Sequence, residues 1–278
     1  MSRRITGWAA AGVLSLFSLV MLVPLYLVIV NAFKPASAIR HRPFSADPGV
    51  LSTDYLQAAL SSPDFNITKA FGITVLFVVL VNALSLLLAG PAAYVIARGT
   101  RAWHKALMLV FLAGLFIPGQ VLVIPVIYVL RYTGLMGTIP GFVLYETTLT
   151  LPLSMFLYVG YIKSIPRELD EAAQIDGAGR LRTFWQVVFP LMRPVVVTAV
   201  VLHTIGVWSD FVNPQIVLGP ASGLYTVMTG VYAAIGLHTT DLTVVYPTLL
   251  LAIAPVLTFF VFMQRKIVGG LTAGATKG

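Results

Sequence analysis

Six stretches of this chain are apolar over about 20 residues or more, and no other feature limits its fold as severely. They run from about Trp8 to Phe33, Thr68 to Arg98, His104 to Arg131, Thr138 to Ile162, Phe189 to Asn213 and Val244 to Arg265. A hydrocarbon layer about 30 Å thick takes that much helix to cross, and inside it every backbone polar group must find its partner within the protein. Composition agrees: 58% of residues are hydrophobic and 10% charged, where a soluble domain carries about a quarter charged residues. The expected fold class is an all-α membrane protein of six transmembrane helices, a single polytopic membrane domain over residues 1–278. External loops are expected at about 34–67 and 214–243, a polar loop at 163–190 and a tail at 266–278. Cysteine is absent, so disulfides, thiolate metal sites and thiol catalysis are excluded. No metal site and no catalytic constellation is expected elsewhere.

The net charge of +8 invites a nucleic-acid reading, but the Lys and Arg residues flank the spans rather than form one basic face. Their distribution orients the chain instead. With the start inside, Arg3, Arg4, Arg98, Arg101, Lys105, Lys163, Arg167, Arg180, Arg182, Arg193, Arg265, Lys266 and Lys277 fall on one side. Only Lys34, Arg40, Arg42, Lys69 and Arg131 fall on the other. By the positive-inside rule both termini are expected in the cytoplasm. The first span is longer than the apolar core of a signal peptide and is read as a retained anchor, and Ser2-Arg3-Arg4 as a flank rather than a twin-arginine signal.

Proline lies well inside several spans: Pro24, Pro91, Pro118, Pro125, Pro152 and Pro255. Each removes a backbone hydrogen bond and is expected to kink its helix. Kinked helices around a cavity suit a transporter, although proline is also simply commoner in membrane helices than in soluble ones. Polar groups at membrane depth are costly and therefore informative. Glu146 sits early in the fourth span, and Asp210 and Asn213 sit late in the fifth, just before Pro214. Two readings fit them: the lining of a polar path or outer gate, or interfacial groups that water solvates and that cap broken helix ends. The segment Pro214 to Asp241 has no Lys or Arg and is rich in Gly, Thr and Tyr. It reads as a re-entrant or surface-lying hairpin with Tyr225 and Tyr232 at headgroup level, shaping the outer mouth.

The chain shows no energy source of its own. No lysine follows a glycine, so there is no phosphate-binding loop, and no row of buried carboxylates and histidines resembles a proton relay. What it does show is a charged stretch, Pro166 to Pro194, between two apolar spans. Pro166 suits a first helical position. Glu168, Asp170 and Glu171 place negative charge against the positive end of the helix dipole. Leu169, Ala172, Ala173 and Asp176 recur at i, i+3, i+4 and i+7, and Gly177 and Gly179 allow a sharp reversal. A second short helix, Arg180 to Val188, is expected to lead into the membrane at Pro190. A small, acidic stripe fits a docked protein better than lipid headgroups, because helices that lie on membranes carry large apolar residues and Lys or Arg.

Glu171-Ala172-Ala173, Gly177 and Pro190 keep the spacing of the EAA---G---------I-LP pattern, with Val187 where isoleucine is usual and Phe189 in place of leucine. In this the chain resembles the ATP-binding-cassette importer permeases. The run EAAQIDGA, the PLMRP after it, Trp208-Ser209-Asp210-Phe211 (Ser209 replacing the usual Asn) and the tail from Gly270 to Gly278 resemble the carbohydrate-uptake branch, and within it the maltose-permease G-type subunits. The resemblance implies a non-catalytic permease subunit of a sugar importer in a bacterial or archaeal inner membrane. It implies as partners a second permease chain of the F type, two ATPases that use ATP and Mg, an extracytoplasmic solute-binding protein, the sugar itself and membrane lipid, but no nucleic acid. This chain would bind no cofactor. Glu171, Ala172, Ala173, Asp176 and Gly177 would belong to a coupling helix seated in a cleft of the ATPase, and Leu271, Thr272, Ala273 and Gly274 to a tail touching it. A gradient-driven carrier working alone and a non-transporting scaffold are the competing readings.

Overall fold

A computed structural model describes residues 2–61, 66–237 and 241–275. Helices dominate, and no strand occurs among the described residues. The contacts divide into two compact units, residues 1–69 with 230–255, and residues 70–229 with 256–278.

In the first unit, α1 (Ser2–Asn31) is followed by two short helices, α2 (Ala36–His41) and α3 (Asp54–Leu60). Residues Gly12–Asn31 of α1 are long and apolar enough to cross a membrane, and of them only Asn31, at the end, is buried in the protein's own interior. The loop after α1 is organised by Lys34, 1% exposed. Its Nζ donates to Asn31 Oδ1 at 3.1 Å and to the carbonyls of Arg42 and Pro43 at 3.0 and 3.1 Å. Burial pushes this ammonium's pKa below the usual lysine value, and the three acceptors offset the lost water. Tyr26 donates from its hydroxyl to the Phe44 carbonyl at 2.8 Å, folding the same loop back on α1. The expected loop 34–67 therefore contains helices and a buried cation.

The second unit is built on α4 (Ile67–Arg98) and α7 (Ile139–Ser164), both long enough to span. Between them lie α5 (Ala102–Phe116) and α6 (Gly119–Tyr132), which meet at 105°. The single third span expected from His104 to Arg131 is thus a bent pair. Pro118 forces Ile117 into an extended conformation, φ −84 and ψ 115, which no helix can continue through. Pro125, by contrast, stays inside α6. After α7 come α8 (Glu168–Ile175) and α9 (Arg180–Thr183), then a π-helical turn Phe184–Val188 running into α10 (Phe189–Leu191). At Met192 the chain bends by 78° into α11 (Arg193–Ser209), with Pro194 in its first turn. The fifth span is therefore a second bent pair, and it ends at Ser209 rather than Asn213. Among the described residues four helices are long and apolar enough to cross a membrane, or up to six when each bent pair is counted as one span.

Two clusters hold α4, α7 and α11 together. One combines Ala89, Ala93 and Ala97 of α4 with Met155, Tyr158, Val159 and Ile162 of α7, Phe184 and Val188 of the π turn, and Val195 and Ala199 of α11. Alanines four apart let helix backbones approach closely. Gly90 serves the same end, since a Cβ there would lie 3.1 Å from the Phe184 ring. The other cluster joins Phe77, Val81, Phe142, Val143, Tyr145 and Val207, with Val217 and Leu218 of α12 (Val212–Val217) and its cap.

Beyond α12 the segment expected as a hairpin forms a turn at Pro220–Ser222 and then α13 (Val227–Leu237). Its start is fastened to α4 by the Val227 N–H donating to Thr74 Oγ1 at 2.9 Å. The last helix, α14 (Leu242–Ala275), continues past Arg265, where the sixth span was expected to end.

Candidate functional site

The α7–α8 junction shows how the sequence builds the polar loop. Ile165, ahead of Pro166, is extended at φ −78 and ψ 128, so α7 stops at Ser164. Pro166 was expected at the first position of the next helix. It lies outside that helix, and Arg167 flanks the start, its carbonyl accepting the N–H groups of Asp170 and Glu171 at 2.9 and 3.1 Å. Three acidic residues in the first turn of α8 match the positive end of its dipole. The other end closes as anticipated. Gly177 adopts φ +80, its N–H donates to the Gln174 carbonyl at 3.0 Å, and the Ala178 N–H donates to that of Ala173 at 2.9 Å. That pair of bonds is a Schellman close, which requires the left-handed conformation glycine tolerates best.

The stripe of Leu169, Ala172, Ala173 and Asp176 does not survive as one face. Ala173 turns inward with Asp170, while Leu169, Glu171, Ala172, Asp176 and Gly177 are exposed. Ile175 is 87% exposed and Leu181, just beyond, 66%. The free surface of α8 therefore carries acids together with Leu169 and Ile175, and its inner surface is Asp170 with Ala173.

Sequence reasoning read that acid, Asp170, only as a charge matched to the helix dipole and missed its inward role. Its Oδ2 lies 2.7 Å from Arg98 Nη2 at the end of α4, and its Oδ1 accepts from the Tyr94 hydroxyl at 2.5 Å. The two charged side chains are only 14% and 8% exposed. Arg98 Nη1 also donates to the Ile165 carbonyl at 3.0 Å, so one guanidinium joins the ends of α4 and α7 to α8. The Tyr94 ring meets Phe184 at a centroid distance of 5.6 Å. Beside the joint opens a cavity of about 500 Å³ lined by Arg98, Arg101, Arg167, Arg180 and Glu171, among others. The available signal was spacing: Asp170 precedes Ala173 by one helical step on the inward face.

A second polar group lies near the start of α7. Glu146, expected by one reading to be solvated, is 5% exposed. Asn213, on α12, organises the group: its Nδ2 donates to Glu146 Oε1 at 3.0 Å, its backbone N–H to Asp210 Oδ1 at 3.2 Å, and its Oδ1 accepts from the Tyr145 hydroxyl at 3.1 Å. Asp210 occupies the break between α11 and α12, extended at ψ 127, and so caps a broken helix end while facing the same group. The tyrosine bonded here is Tyr145, which sequence reasoning passed over. Tyr225 lies half-buried two residues before α13. Deeper in the bundle Ser85, Ser154 and His203 tie α4, α7 and α11 together, with Ser–Ser and Ser–His separations of 3.0 and 3.3 Å. Leu271, Thr272, Ala273 and Gly274 fall in the last turns of α14; their side chains, like Lys277, lie outside the described residues. Among the described residues no group of three His, Cys, Asp or Glu could hold a metal.

Residues 85–271, which contain both polar groups, match the model of the family described as binding-protein-dependent transport system inner membrane component. The chain belongs to this family. It is an inner-membrane permease component of a binding-protein-dependent importer, and not an enzyme. Among its relatives is the diacetylchitobiose uptake system permease protein NgcG of Streptomyces coelicolor, 31% identical over 94% of this chain and 86% of that protein. Another is the multiple sugar-binding transport system permease protein MsmG of Streptococcus mutans, 29% identical over 95% of both chains. Of solved structures, a bacterial ABC transporter involved in alginate import contains a chain of the same fold, with a TM-score of 0.78, 21% identity and coverage of 95% and 97%. Family membership excludes the gradient-driven carrier and the passive scaffold as readings of this permease.

Proposed function

We propose that this permease subunit carries carbohydrate into the cell, paired with a second permease chain and driven by two ATPase subunits, one of which seats on α8. The substrate class is supported by the relatives, whose names specify diacetylchitobiose and multiple sugars. The observation that carries the ATPase reading is α8 itself: a helix with an exposed acidic face, closed at Gly177 and fixed on its other side to α4. Glu171, Ala172, Asp176 and Gly177 form the contact, and Ala173 supports it from within. Both termini and α8 lie in the cytoplasm, in keeping with the Lys and Arg distribution. Leu271, Thr272, Ala273 and Gly274 add a second contact. ATP and Mg belong to the ATPases. A solute-binding protein delivers the sugar at the opposite face, where Glu146, Asp210, Asn213 and Tyr225 form part of the outer gate.

ATP then works by binding the outward-facing state better than the inward-facing one, and a near-complete switch takes about 5.5 kcal/mol of such preference. The test is reconstitution with the partner subunits and binding protein. Glu171→Lys should reduce ATPase association and sugar uptake while the chain still inserts in the membrane. Uptake by this chain alone, or full coupling in that variant, would sink the reading. Screening sugars against the binding protein tests the substrate class separately.

A further inference from the structure

We propose that α4 is the helix that receives the stroke delivered to α8, through a strut of Asp170, Arg98 and Tyr94, rather than α7 or α11, to which the loop is covalently joined. This rests on the reading of α8 as the ATPase-seated helix. Helical hydrogen bonding does not run through the covalent joins: Ile165 and Pro166 interrupt it on one side of α8, and Gly177 and Gly179 end it on the other. The stiff contacts are non-covalent and converge on α4 between Gly90 and Arg98. Asp170 takes the Arg98 guanidinium at 2.7 Å and the Tyr94 hydroxyl at 2.5 Å. From the return side of the loop, Phe184 packs on the same Tyr94 ring and against Gly90. Arg98 also takes the Ile165 carbonyl, which bridges the interruption itself. A planar guanidinium held at more than one edge resists sliding as a lone ammonium does not, and the pair's low exposure limits screening by salt. Arg98, Asp170 and Tyr94 are positioning residues; they need touch neither sugar nor nucleotide.

The absence of cysteine allows a direct test. Val95 on α4 and Gln174 on α8 are exposed and can be replaced by spin-labelled cysteines in the reconstituted transporter. The label separation should stay the same with and without ATP, and its distribution should broaden in Asp170→Asn. Sugar taken up per ATP hydrolysed should fall about 5-fold or more in Asp170→Asn and in Arg98→Ala, and should recover in part in the Arg98→Asp, Asp170→Arg exchange. Tyr94→Phe, which removes only a hydroxyl, should give the same defect in milder form. The strut is overturned if ATP changes the label separation in the parent chain, or if Asp170→Asn and Tyr94→Phe both keep the parent ratio. It is also overturned if uptake falls only in proportion to assembled transporter with no recovery in the exchange. Failure of the parent chain to co-purify with an ATPase would instead remove the reading of α8 on which the strut depends.

Discussion

The two ends of α7 hold buried acids in opposite ways. At its close, Asp170 meets a full positive charge, Arg98, and a phenol. Near its start, Glu146 accepts from the neutral amide of Asn213, with Asp210 bonded to the same residue. An ion pair with several hydrogen bonds compensates much of the cost of leaving water, whereas an amide leaves more of it standing. The first arrangement suits a joint that must stay closed under load. The second suits a junction whose partners can be exchanged, as an outer gate requires.

The widest separation between the two ends should come from removing the neutral partner. Asn213→Leu takes the side-chain amide away from Glu146 and leaves that acid in an apolar setting, while the backbone N–H at 213 still reaches Asp210; it should cost about 3 kcal/mol or more, read as a lower thermal midpoint and less folded protein after extraction. Glu146→Gln, which keeps an acceptor for Asn213 and removes the charge, should cost under about 1 kcal/mol. If both substitutions are equally damaging, Glu146 is not held as an unpaired acid and the contrast fails.

Next in size is the charged end. Arg98→Ala should cost about 2–3 kcal/mol, less than a fully buried pair because both side chains keep some exposure. Here the order of the single variants is informative. Asp170→Asn leaves Arg98 its carbonyl partners and should be milder than Arg98→Ala, which deserts Asp170 and the Ile165 carbonyl together. The reverse order would mean that Arg98 contributes little beyond charge.

What the sequence made legible follows from which signals are local. The glycine at position 177 and the acidic first turn of α8 are properties of consecutive residues, and both appear in the structure where expected; the apolar runs became helices too, but the third and fifth are bent pairs. Pro118 was legible as an interruption but not as a 105° break, because the size of a bend depends on what packs around it. Asp170 was legible as a charge near a helix start, but its role depends on Arg98, 72 positions away. Arg98 in turn looked like an ordinary membrane flank. The inward turn of Ala173 belongs to the same class: helical spacing gives a stripe, and only the neighbouring helix decides which side of it is buried. Asn213 organises its cluster for a reason no window could show, since its partners lie on α7.

A smaller effect is expected at the helix close. Gly177 has open space around its Cβ position, so any penalty for a side chain there comes from φ +80 alone. Gly177→Ala should therefore cost about 1 kcal/mol, and Gly177→Asn less, because Asn tolerates the left-handed region better. Equal costs for the two would mean that crowding, not backbone conformation, selects glycine at this point.

The smallest effect on stability should come from Ile175→Ser. An isoleucine 87% exposed on α8 contributes almost nothing to the fold of this chain, so the substitution should shift its stability by no more than about 0.5 kcal/mol. A side chain of that size, the most exposed large apolar residue of α8, has its value in an assembly, where burying it contributes about 1.5–3 kcal/mol. Ile175→Ser should thus weaken ATPase association by about 10-fold or more while leaving the Arg98–Asp170 joint intact. That dissociation, measured beside an unchanged thermal midpoint, separates the surface that α8 offers to a partner from the surface that holds it to α4. A matched loss of stability and association would show that the two faces of α8 are not independent.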